Sequence, residues 1–124
     1  MMNYNTKIYK FKKGHILYKE DYPVIGLSIF FIKKGKVEVS FKLNNDKTFK
    51  ITILENNFFG LFEALSEKQV RITSAKICED SVICLWKKED FLLNSNIIAE
   101  LGLKAIFCLS NFLRIINQKI KEIG

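Results

Sequence analysis

At 124 residues, 48% of them hydrophobic, the chain has the length and apolar content of one domain built around one core. Eleven Phe, four Tyr and one Trp can fill that core without a structural metal or a disulfide, and the three cysteines are an odd number with no CxxC spacing. Cys78, Cys84 and Cys108 therefore read as reduced, buried thiols. The formal net charge of +7 comes from 18 lysines scattered along the whole chain and only two arginines, Arg71 and Arg114. A nucleic-acid face would cluster its charge and favour arginine, so direct DNA binding is not expected of this chain.

The opening segment, Met1 to Lys13, mixes lysines with aromatics and has no signal-peptide core. No apolar run approaches the roughly 20 residues a membrane span needs, so the expected compartment is the cytoplasm. Lys7 to Phe11 and His15 to Tyr18, separated by Gly14, predict a pair of short strands. Leu27 to Ile32 is apolar on both faces and predicts a buried strand ending in a turn at Lys33-Lys34-Gly35. Lys36 to Leu43 alternates strictly, with Val37, Val39, Phe41 and Leu43 on one face and charged or polar residues on the other. After the turn-rich Asn44 to Lys47, Thr48 to Leu54 resumes the alternation, which completes a hairpin. Arg71 to Cys78 and Ser81 to Trp86 predict a further pair around a turn at Glu79-Asp80. About seven short strands at this spacing imply a mainly β roll or sandwich.

After Trp86 the period changes. Glu89-Asp90 ahead of Phe91-Leu92-Leu93 is a helix start, with acidic residues at the positive end of the dipole. From about Asn96 to Ile123 apolar residues recur at helical steps, and Leu101, Ala105, Leu109, Phe112 and Ile116 among them are the expected dimer interface. The apolar surface is too wide for one face, so one side is expected to meet the roll and the other a second copy of the same helix. The layout predicts a β-roll over residues 1–95 and a dimerisation helix over 96–124 within one structural domain.

Phe30 to Gly35 followed by Lys36-Val37-Glu38-Val39 resembles the strand-turn-strand of the cyclic-nucleotide-binding superfamily, as does Phe11 to Leu17. Asn57-Phe58-Phe59-Gly60, the short helical stretch Leu61 to Leu65, and Arg71 resemble that superfamily's phosphate-binding cassette. The last helix resembles the dimer helix of catabolite-activator-type regulators. The resemblance implies a jelly-roll fold and places ligand contacts at Gly60, Leu61, Glu63, Arg71, Thr73 and Ser74. A glycine before a short helix lets the backbone approach an anion, and a guanidinium can pair with phosphate oxygens through two parallel hydrogen bonds.

The cassette departs from the family pattern. Leu61 stands where the family's ribose-binding glutamate follows the glycine, and Glu63 is the nearest acid. Ile72 stands where a small hydroxyl residue follows the arginine, and Ser74-Ala75 could fill that role only across a bulge. The ligand is therefore expected to be a cyclic nucleotide bound weakly, another phosphate-bearing molecule, or none.

No catalytic residues, metal ligands or resident cofactor are predicted. The single histidine, His15, lies among apolar residues, and there is neither a phosphate-cradling loop with its lysine nor a nucleophile elbow. No helix-turn-helix follows the long helix, although one would be needed in a complete transcription regulator. Two readings remain open: a dimeric ligand-sensing domain, and a degenerate roll that serves as a dimerisation module without binding nucleotide.

Overall fold

A computed structural model describes residues 6–42, 47–97 and 99–123. Its elements in chain order are β1 (Lys7–Phe11), β2 (Ile16–Tyr18), β3 (Leu27–Lys42), β4 (Thr48–Ile53), β5 (Phe58–Phe59), α1 (Leu61–Ala64), β6 (Ser74–Lys87), α2 (Lys88–Ile97) and α3 (Ala99–Ile123). The strands form one antiparallel sheet ordered β1-β6-β3-β4, with β2 on β6 and β5 on β3. The fold is the mainly β roll with C-terminal helices that the sequence predicts.

The strand count differs from the sequence reading in an instructive way. Lys33-Lys34-Gly35 is not a turn, and neither is Glu79-Asp80. β3 runs 16 residues straight through the first, and β6 runs 14 residues through the second. The two long strands pair with each other from Leu27↔Lys87 to Ser40↔Ser74, with register shifts between Ile32 and Val37. Such bulges bend a ribbon without ending it, so residues that look like turn formers mark the fold line of the roll instead. Gly35 takes φ +111° there, and a Cβ on it would run into Ser81, whose Cα would lie only 2.9 Å away. Ser81 Oγ accepts the Lys36 N–H at 3.2 Å, filling a gap in the interrupted ladder.

β1 and β2 do not pair with each other as the sequence suggests. β1 lies on residues 81–85 of β6, and β2 on the far side of its bend at Ala75 and Lys76. The predicted hairpin is present, with β3 and β4 paired from Val37↔Ile53 to Lys42↔Thr48. Its turn at Asn44–Asp46, with Leu43, lies outside the described residues.

Alternation along the long strands assigns side chains to two cores. Phe30, Ile32, Val37, Val39, Ala75, Ile77, Ile83 and Leu85 fill the inside of the roll. The intervening Ile29, Cys84 and Trp86 point the other way and join Phe58, Leu61, Phe91 and Ala105 beneath the helices. Leu27–Ile32 is apolar on both faces for this reason: the roll covers one face and the helices cover the other. Trp86, Phe58 and Phe91 pack at centroid separations of 5.5–5.8 Å, largely edge to face, and hold α2 to the sheet.

Glu89 and Asp90 occupy the first turn of α2, as expected from the helix dipole. α3 lies on the roll through Ala105, Cys108, Leu109 and Phe112, which reach both cores. No described helix is long and apolar enough to cross a membrane.

Candidate functional site

The site is built where β5 runs into α1 and the chain returns through Arg71. Gly60 caps α1 at φ +78°, with no side chain to interfere. A Cβ at this position would press on Phe30, on Arg71 Nη1 and on the Ser28 carbonyl, all at 3.0–3.1 Å. The link between α1 and Arg71 is fixed by Gln69, whose amide donates to the Ala64 carbonyl at 2.8 Å. Backbone bonds to the 21–22 turn then fix Arg71 itself: its N–H donates to the Tyr22 carbonyl at 2.8 Å, and its carbonyl accepts the Asp21 N–H at 2.7 Å.

Arg71 is not a solvated strand-end residue. It is only 3% exposed, it precedes β6, and its guanidinium points into the protein. Nη1 donates to Glu63 Oε1 at 3.0 Å and to the Gly60 carbonyl at 3.2 Å, and Nη2 donates to the Ser28 carbonyl at 2.8 Å. Its Cζ lies 4.0 Å from the centroid of the Tyr18 ring, a cation–π contact that closes one face. Glu63 is equally buried, at 3% exposed. Its second oxygen, Oε2, accepts the N–H groups of Ile72 (2.6 Å) and Thr73 (2.7 Å) and the Thr73 hydroxyl (2.8 Å). Two consecutive amides, a hydroxyl and a guanidinium thus enclose one carboxylate, the arrangement that makes burial of a charge tolerable.

Burial pushes the Tyr18 phenol far above its ordinary pKa. The Glu63 carboxylate adds to the rise, while Arg71 and the Thr73 hydroxyl oppose it. The neutral phenol 3.5 Å from Thr73 Oγ1 completes the wall.

The six residues singled out in the sequence fall in three places. Gly60, Leu61, Glu63 and Thr73 line one cavity under α3, with Tyr18, Val39, Ile72, Leu109 and Phe112 among its other walls. Arg71 stands behind Glu63, bonded to it. Ser74 faces elsewhere: its hydroxyl accepts the Glu20 N–H at 3.0 Å, and Ala75 is fully buried in the roll. No bulge brings Ser74-Ala75 to the cassette; Thr73 supplies the hydroxyl instead. Leu61 is buried with Ile29, Trp86 and Phe91, so an apolar anchor stands where the resemblance places a carboxylate. Tyr18 and Ser28 went unnoticed in the sequence. Ser28 carried a faint signal as the one polar residue in an apolar strand, whereas Tyr18 gave none.

The free space in it is about 20 Å³, close to what one water molecule needs. Leu109 and Phe112 of α3 form part of its wall. Both are half-buried against the chain's own cores, and Ala105 is buried there outright. The face expected to meet a second copy thus touches the roll over Ala105–Phe112, because the cassette lies directly beneath it. Ile116 is half-buried, and the Leu101 side chain lies outside the described residues. The exposed apolar stripe of α3 is a different one: Leu103 and Ile106 at 63% exposed, Phe107 at 79%, and Leu113.

Residues 8–93 match the family model described as the cyclic nucleotide-binding domain. Among solved structures, a transcriptional regulator from Thermotoga maritima superposes with a TM-score of 0.75 at 23% identity, covering 95% of this chain and 91% of that one. The Thermus thermophilus catabolite activator protein gives 0.75 at 16% identity, over 95% of this chain and 55% of its own. The c-di-GMP-responsive global regulator CLP of Xanthomonas campestris gives 0.74 at 13% identity, over 94% of this chain and 57% of its own. At these identities the likeness is one of fold, and the chain spans little more than half the length of the last two. No curated protein matches significantly. With well over half its length covered by the family model, the chain belongs to the cyclic nucleotide-binding domain family.

Proposed function

We propose that the chain is a non-enzymatic regulatory domain of the kind that forms the sensor part of bacterial transcription regulators, acting as a homodimer and binding cyclic mononucleotides weakly or not at all. The closed cassette carries this reading. The cavity beside Leu109 and Phe112 holds about 20 Å³ of free space, and the Leu61 side chain offers a ribose hydroxyl nothing to bond with. A ligand must offset the cost of opening the site, and its apparent affinity falls by the fraction of molecules that are open. The homodimer is supported by the α3 stripe of Leu103, Ile106, Phe107 and Leu113, an exposed row at helical spacing.

The same closed cassette favours a second reading, a dimerisation module that senses nothing. A thermal-shift screen with cyclic mono- and dinucleotides separates the two. The dinucleotides belong in it because one structural neighbour is described as c-di-GMP-responsive. A sensor gives a concentration-dependent rise in Tm with at least one compound. A flat response across the series favours the dimerisation module.

A further inference from the structure

We propose that Glu63 is a built-in competitor for the ligand. The Arg71 site is an anion receptor that the chain fills with its own carboxylate, and an external phosphate-bearing ligand can engage Arg71 only when Glu63 withdraws. This rests on the weak-binding reading above and names its cause.

The geometry is that of a receptor with its anion in place. One carboxylate oxygen lies 3.0 Å from Arg71 Nη1, and the other receives two successive backbone amides and a hydroxyl at 2.6–2.8 Å. Consecutive amides converging on one oxygen, beside a guanidinium, would suit a phosphodiester oxygen equally well. Glu63 reaches them from α1, eight residues before Arg71 and on the same cassette. A tethered carboxylate acts at an effective concentration of the order of millimolar or more, so it holds the receptor against dilute free anions. Two further Arg71 N–H groups are held by the chain itself, one by the Gly60 carbonyl and one by the Ser28 carbonyl. Position 63 therefore sets the threshold for ligand, and the loss of a family carboxylate at Leu61 is only half of what separates this cassette from an open one.

The test empties the receptor and offers it small anions. Glu63→Ala is followed by thermal unfolding in sodium chloride, sodium formate and sodium phosphate at matched ionic strength, beside the wild-type chain and the Glu63→Ala/Arg71→Met double variant. The expected result is a saturable rise in Tm with formate and phosphate for Glu63→Ala alone. Should Glu63→Ala fail to fold in chloride, recovery of the native circular dichroism spectrum in formate or phosphate, dependent on Arg71, is the equivalent result. A folded Glu63→Ala that responds to formate and phosphate no more than the wild type does overturns the proposal. So does an unfolded one that none of the anions recovers. Either failure leaves the weak-binding reading standing, since that reading concerns the wild-type chain and is decided by its own nucleotide titration.

Discussion

Arg71→Met lowers the stability of the domain by about 3–5 kcal/mol, the cost of stranding a buried charge when its partner is removed. Glu63 would be left with its two amides and the Thr73 hydroxyl but no cation, at 3% exposure. The Gly60 and Ser28 carbonyls would lose donors at the same time. The double variant Arg71→Met/Glu63→Leu is expected to recover much of the loss, because replacing a whole buried pair by apolar groups of similar volume is often close to neutral. Urea denaturation of the wild type, both single variants and the double variant gives the coupling energy directly. A loss of under 1 kcal/mol for Arg71→Met would mean that the pair is solvated in solution and that the enclosed geometry is wrong.

The second large effect concerns association. Ile106→Lys/Phe107→Lys is expected to convert a dimer into a folded monomer. Both side chains are mostly exposed on α3 and lie away from the roll, and burying a large apolar side chain contributes about 1.5–3 kcal/mol, up to about a hundredfold in association for each. Phe112→Lys should behave differently. It touches the inner core and the cassette cavity, so it should damage folding before it reports on the dimer. Sedimentation velocity over a range of concentrations, with circular dichroism as the folding control, distinguishes the two. A wild-type chain that stays monomeric at high concentration contradicts the homodimer.

The sequence carried the roll more faithfully than it carried the site. Strict alternation in Lys36–Leu43 and Thr48–Leu54 located the β3–β4 hairpin, because one face of it is buried and the other is wet. The doubly apolar Leu27–Ile32 was legible as a buried strand for the same reason. What misled was the punctuation. Gly35 and Glu79-Asp80 look like turns, and only the packing of Gly35 against Ser81 across two strands shows them to be bends in continuous strands. Local composition cannot distinguish a bulge from a turn when the partner strand lies more than forty residues away.

At the site, Gly60 and Arg71 were identifiable from residue type and order. Their roles were not, because Arg71 could have faced either solvent, a ligand or another side chain, and the choice depends on where α1 places Glu63. Glu63 stands two residues past the position where the family pattern places its carboxylate, and nothing in the spacing paired it with Arg71. The return of the chain through Gln69, tied to the end of α1, brings it back onto Arg71. The helix posed the same problem: its broad apolar surface was visible, but the row expected to meet a second copy is the one that packs on the roll and the cassette through Ala105, Leu109 and Phe112.

Occupation of the Arg71 site by Glu63 should make the cassette a poor reader of cyclic mononucleotides. Isothermal titration calorimetry of the wild-type chain with cyclic AMP and cyclic GMP addresses it most directly. No saturable heat is expected at micromolar ligand, with any binding confined to the high micromolar range or weaker, at roughly 5 kcal/mol of binding free energy or less. Tight, selective binding of either nucleotide would contradict it, by showing that Glu63 and α3 yield to the ligand at little cost.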